Sequence, residues 1–112
     1  MGVYFYFFDD EGKSIPLSRI YNAAVAWYRD MKGLPPTNPD AEEWESVDMG
    51  VINTLDNCAI AARSGHETTE AYVARWIAAD PPKLQAITWF PGMMAHLAAT
   101  VKLRGMGAYV AR

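Results

Sequence analysis

The run HETTE (66–70) puts His66 and Glu70 four residues apart with Glu67 between them. On a helix the imidazole and the second carboxylate would share a face, which is how two metal ligands are often presented. A metal centre needs more donors at the same point, and no HExxH pair or comparable cluster supplies them. Thr68 is also the better helix cap, which leaves His66 in the preceding turn. The expectation is a surface turn with neither metal nor cofactor. Cys58, the one cysteine, could serve as a nucleophile with His66 or His96 as its base. Its place mid-helix on an apolar face offers nothing to lower the thiol pKa, so it reads as a small core residue. Ser64 lacks the surroundings of a nucleophile elbow, and the eight glycines are scattered rather than gathered into a phosphate loop. His96, beside Met93, Leu97 and Thr100, reads as a hydrogen-bonded core or rim residue. The expectation from these residues is a protein that is not an enzyme.

Asp48 is harder to dismiss. It falls inside the helical arc of Val51, Leu55 and Ala59, where a carboxylate must find partners or stay protonated. It is a candidate buried polar residue or ligand anchor, and the structural role is the better reading. The stretch ITWFPGMMAHL (87–97) carries a different signal. Trp, Phe and Met concentrate in protein interfaces, which makes Trp89, Phe90, Met93, Met94 and Leu97 candidate interaction residues. Ala95, Ala98 and Ala99 leave the other side of that helix nearly smooth. A helix apolar almost all round suits either a central core element or an oligomer contact.

The elements that must position these residues follow from periodicity. VYFYFF (3–8) reads as a strand, with Val3, Phe5 and Phe7 on one face and Tyr4, Tyr6 and Phe8 on the other. Gly12 allows a turn, and SIPL (14–17) returns as a short edge strand because Pro16 cannot donate to a ladder. A first helix is expected over about 18–32, capped by Ser18 and stopped by Gly33. Its buried stripe is Ile20, Ala24, Trp27, Tyr28 and Met31, with Asn22, Arg29 and Lys32 opposite. LPPTNP (34–39) is a rigid loop. A second helix should run about 41–63 with Asp40 and Glu43 as its capping box. Its face is Trp44, Val47, Val51, Leu55, Cys58, Ala59 and Ala62. Gly50 weakens its middle and would let a neighbour pack closely, and Gly65 ends it. A third helix is expected over 69–79, and a fourth capped by Asp80. Pro91–Gly92 then marks a kink or the start of a helix to Arg104. GAYVAR (107–112) can add a strand beside 3–8.

Residues 68–87 resemble a helix-turn-helix. Val73, Ala74 and Ile77 supply the first helix, and Ala78 and Ala79 lead to the turn. Asp80 caps the second helix, which Leu84 and Ile87 pack. The reading positions fail, because Lys83 and Gln85 are the candidate donors among Pro81, Pro82, Ala86 and Thr88. A packing hairpin is the better account, and DNA binding through 69–90 is the alternative.

Composition sets the outer limits. The chain has 112 residues, 51% hydrophobic and 12% aromatic, enough for one domain (1–112) with a real core. The net charge of −3 is uneven. Residues 1–50 hold nine acids and four bases, hence −5; residues 51–112 hold four acids and six bases, hence +2. That excess is far below a nucleic-acid footprint. One cysteine allows no internal disulfide, and no apolar run reaches a membrane span. A cytoplasmic protein is expected, without secretory signal or membrane contact. The fold class is α+β, mainly helical. A β-hairpin or three-stranded ribbon, the N-terminal hairpin plus a C-terminal strand, is covered by four to five helices. The expected function is protein–protein binding by a small acidic regulatory protein. By analogy it is an accessory or phage-type inhibitor, and it is expected to pair as a homodimer through the last helix or Trp89–Phe90. A small-ligand binder with an aromatic pocket of Tyr4, Tyr6, Trp27 and Trp89 is the third reading.

Overall fold

A computed structural model describes residues 2–37, 43–62 and 89–111. The alternation of VYFYFF produces strand β1 (Gly2–Asp9), which turns into the two-residue β2 (Ser14–Ile15). The turn is built by Asp9, whose Oδ1 accepts from the backbone N–H groups of Glu11 and Lys13, both at 2.9 Å. Gly12 takes the left-handed conformation with φ +79°, a local Asx turn of the kind aspartate favours. A long strand β3 (Leu103–Ala111) pairs antiparallel with β1 from Gly2↔Ala111 to Asp9↔Leu103, with an irregularity at Phe8/Asp9. The order is β2-β1-β3, so the N-terminal strand lies in the middle of the sheet.

Three helices are present among the described residues: α1 (Leu17–Lys32), α2 (Ser46–Ala62) and α3 (Phe90–Thr100). The fold is thus a small α+β arrangement with more helix than strand. Four to five helices were expected; those over 69–79 and after Asp80, and Gly65 with them, lie outside the described residues. α2 and α3 lie against β3, and α1 and α2 against β1. The core is the layer between them: Phe7 and Met106 from the sheet meet Ile20, Ala24, Val25, Val51, Leu55, Cys58, Phe90, Met93, Met94 and Leu97.

Several boundaries differ from the sequence expectation for physical reasons. Ser18 does not cap α1. Pro16 is the N-cap without any side-chain bond, and its carbonyl accepts from Arg19 and Ile20. α2 begins at Ser46 rather than 41, and Glu43 precedes it, so Glu43 closes no capping box. Asp48 takes that role instead, three residues into the helix start, where it accepts from the Glu45 N–H at 3.0 Å. Gly50 is exposed, and a Cβ there would meet nothing within 4 Å, so it admits no neighbour. Pro91 occupies the first turn of α3, where its missing N–H is harmless, so the helix starts before the expected break. The helix also stops earlier than Arg104. Lys102 adopts φ +59° and its Nζ donates to the Ala99 carbonyl at 3.0 Å, after which the chain enters β3 at Leu103.

Candidate interaction surface

Gly33 is where the site begins. It ends α1 with φ +70°, ψ +24°. Its N–H donates to the Asp30 carbonyl at 3.1 Å, and the next N–H, of Leu34, to the Arg29 carbonyl at 2.8 Å. This pair of bonds is a complete Schellman closure. The two positions that such a motif sets against Leu34 are here Arg29 and Tyr28. Leu34 is 39% exposed.

Arg29 is 5% exposed, not solvent-facing as its place on the wheel implied. Its Nε donates to Asp48 Oδ1 at 2.7 Å and its Nη2 to Oδ2 at 3.0 Å, a two-pronged ion pair. Its Nη1 donates to the Pro35 carbonyl at 2.8 Å. Nη2 also lies 3.3 Å from Glu45 Oε2. One guanidinium thus ties the end of α1, the loop at Pro35 and the start of α2. The hydrogen bonds from Arg29 and from the Glu45 N–H hold the Asp48 carboxyl below its ordinary range against the opposing effect of burial. The bond to Asp48 raises the Arg29 pKa in turn. Asp48, 1% exposed, is therefore a structural anchor for a protein cation. Sequence reasoning found the buried acid but missed its partner. The signal was available: a carboxylate inside an apolar arc calls for a partner, and Arg29 closes the preceding helix.

Tyr28 is packed edge-to-face on Trp89, ring centroids 4.9 Å apart, with Lys32 Nζ 5.9 Å from the Tyr28 ring. Trp27 lies against α3 beside His96 (6.4 Å), close enough that a Cβ at Gly92 would meet it at 3.2 Å. The contacts Arg29–Asp48 and Tyr28–Trp89 define one end of the helical layer, where α1 finishes and α2 and α3 begin. Tyr28, Trp89 and Trp44 are half-buried there, and Met31 and Met49 are 42% and 39% exposed. Met31 was expected in the buried stripe; it lies past the core at the helix end.

The other candidates separate clearly. Phe90, Met93, Met94 and Leu97 have no exposure at all. They fill the core, and a side chain consumed inside one subunit offers no contact surface, which corrects their reading as interface residues. Trp89 stays half-buried, and Ala95 and Ala99 are exposed on the outer side of α3. The four-residue aromatic pocket is not formed. Tyr6 rests on the outer face of the sheet over Gly107, and Tyr4 shares that face, whereas Trp27 and Trp89 pack on the helical side. Cys58 is buried in the core. His66, Glu67, Glu70, Ser64, Lys83 and Gln85 lie outside the described residues. Among the described residues no three His, Cys, Asp or Glu side chains converge as a metal site, and no helix is long and apolar enough to cross a membrane.

A second polar pair joins α1 to α2. The Tyr21 hydroxyl donates to Asp56 Oδ1 at 2.6 Å. Burial pushes the phenol pKa up, with the hydrogen bond and charge of Asp56 adding to it. Burial also raises the Asp56 carboxyl, opposed by the bond from Tyr21. The chain matches no protein-family model, no curated protein sequence and no solved structure.

Proposed function

We propose that the protein works by binding another protein chain rather than by catalysis, and that it does so with the end of the helical layer where α1 meets α2 and α3. One observation carries this reading. A clamp of three hydrogen bonds from Arg29 holds a loop that leaves Leu34, Pro35 and Pro36 exposed beside half-buried Trp89 and Tyr28. Rigid apolar display is what a binding element needs, because little conformational entropy remains to be lost on association. Clustered Trp and Tyr are also the residue types that dominate binding energy at interfaces. A regulatory or accessory role is the use such a surface serves. A lone buried thiol fits a reducing compartment such as the cytoplasm.

A benzophenone amino acid placed at Leu34 tests the reading. On irradiation in the native host it should join the chain to another protein chain, while the same probe at Ile60, on the C-terminal half of α2, should not. Equal cross-linking at both positions, or none at Leu34, overturns it.

A further inference from the structure

We infer that the open side of β1 takes an extended segment of another polypeptide chain as an added strand, hydrogen-bonded to the main chain of Val3 and Phe5. This place of contact is separate from the end face. It belongs to the sheet near the start of α1, whereas the end face lies where α1 finishes.

The two sides of β1 are unequal. On one side β3 pairs with it from Gly2 to Asp9. On the other, β2 meets only Phe7 and Phe8, through Ile15 and Ser14. Pro16 then becomes the N-cap of α1, and the chain leaves the sheet. The hairpin also fixes which residues face the side left open. The Asp9 N–H donates to the Lys13 carbonyl at 2.8 Å, so the main chain of Asp9 is directed toward β2. Main-chain groups alternate between the two sides of a strand, so those of Phe7, Phe5 and Val3 point the same way. Phe7 lies opposite Ile15, whereas Phe5 and Val3 lie past the end of β2. Among the described residues neither has a hydrogen-bond partner on that side.

The N–H donors and carbonyl acceptors of Val3 and Phe5 thus stand in one line, the two residues roughly 6.8 Å apart. That spacing is the repeat of another strand, and it sets the chemistry of the occupant. In strand addition the main-chain bonds supply affinity and the flanking side chains select the sequence. Here the flanks are apolar on both faces. Phe5 packs against the core on the helical side, and Leu17, 38% exposed, stands just past the end of β2. Tyr4, 52% exposed, and Tyr6 line the outer face. A segment of aromatic and β-branched residues fits these flanks, because such cross-strand pairs are favourable. Proteins commonly guard a free edge with proline, lysine or a bulge. Gly2–Tyr6 has no proline, no lysine and no charge, and the irregularity of the β1–β3 ladder comes only at Phe8/Asp9.

Panning a displayed library of random linear peptides against the full chain is the test, read by amide hydrogen exchange. In the free protein the Tyr4 and Tyr6 amides, which face β3, should exchange slowly and the Phe5 amide fast. A selected peptide at about ten times its dissociation constant should slow exchange at Phe5 about tenfold. An ester oxygen in place of the Phe5 N–H, in a chain assembled by ligation at Cys58, should weaken that peptide roughly three- to tenfold. A thermal melt checks that this chain still folds. Leu34→Asp should leave the affinity unchanged. A library that yields no binder overturns the inference. So does a selected peptide that leaves the Phe5 amide fast, or one that the ester does not weaken. A Phe5 amide as slow as that of Tyr6 before any peptide is added overturns it as well. Peptides that Leu34→Asp releases occupy the end face; they would overturn this inference alone and leave the protein-binding reading standing.

Discussion

At the scale of single residues, the buried Arg29–Asp48 pair and the half-buried Tyr21–Asp56 pair respond to acid in opposite directions. Asp48 has a folded pKa below its unfolded value near 3.8. Its contribution to stability is therefore complete above that value and is lost as the pH falls through the depressed folded one. Asp56 has a raised folded pKa. Its contribution is complete below the ordinary value and fades as the pH climbs through the raised one. Asp48→Asn should flatten the acid limb of a denaturation series, and Asp56→Asn should instead improve stability near neutrality; urea melts across the acid range measure both. Removing the acceptor oxygens together with the charge is harsher. Asp48→Ala leaves a guanidinium buried without its acid and should lower Tm by roughly 10–20 °C. Arg29→Met combined with Asp48→Leu should recover much of that loss, because both costs of desolvation disappear together. Tyr21→Phe removes the bond that lowers Asp56, so the Asp56 carboxyl should titrate still higher by carbon NMR. Of these residues the sequence marked Asp48 alone. Arg29 escaped because a wheel sorts side chains by type, and its acid lies 19 residues away on another helix.

At the scale of elements, glycines decide two local arrangements. A Cβ at Gly107 would collide with the Tyr6 phenol across the β1–β3 ladder. Gly107→Ala should therefore displace the ring and cost about 1–2 kcal/mol. In a Tyr6→Ala background the same substitution should cost far less, a coupling that a double-mutant cycle of urea melts reads directly. Gly33→Ala meets no atoms but must adopt φ +70°, so about 1 kcal/mol is expected from backbone strain alone. The legible elements were those with one clear pattern. Alternation in VYFYFF marked β1, and Gly33 marked the end of α1. β3 was placed late, at 107 instead of 103, because Gly105 and Gly107 break the alternation that Leu103 opens. In the same way, Met93, Met94 and Leu97 drew attention as an interface because residue type does not reveal which side of an all-apolar helix turns inward. The end face was illegible for another reason. It exists because three helix ends meet, and that meeting depends on tertiary contacts rather than on any local pattern.

At the scale of the whole molecule, the sheet joins the ends of the described chain, since Gly2 pairs with Ala111 and Asp9 with Leu103. Such non-local pairing is slow to form, because loop-closure entropy must be overcome before the ladder bonds repay it. Folding should accordingly be slower than for a helical bundle of equal size, and substitutions at the β1–β3 ladder should act mainly on the folding or the unfolding rate according to when the ladder forms. Stopped-flow chevrons of Tyr6→Ala and Gly107→Ala would show which. The pairing has a consequence during synthesis as well. β1 leaves the ribosome well before the strand that flanks it along its whole length, which lies about 100 residues further along the chain. At roughly 5–20 residues per second, the aromatic run Tyr4–Phe8 waits on the order of 5–20 s for its ladder partner. During that interval it is a short, uncharged, proline-free segment of high β-propensity, the kind that nucleates aggregates. The nascent chain should therefore be most vulnerable at β1, and arrest of translation before Leu103 should leave a product that needs a chaperone to remain dispersed.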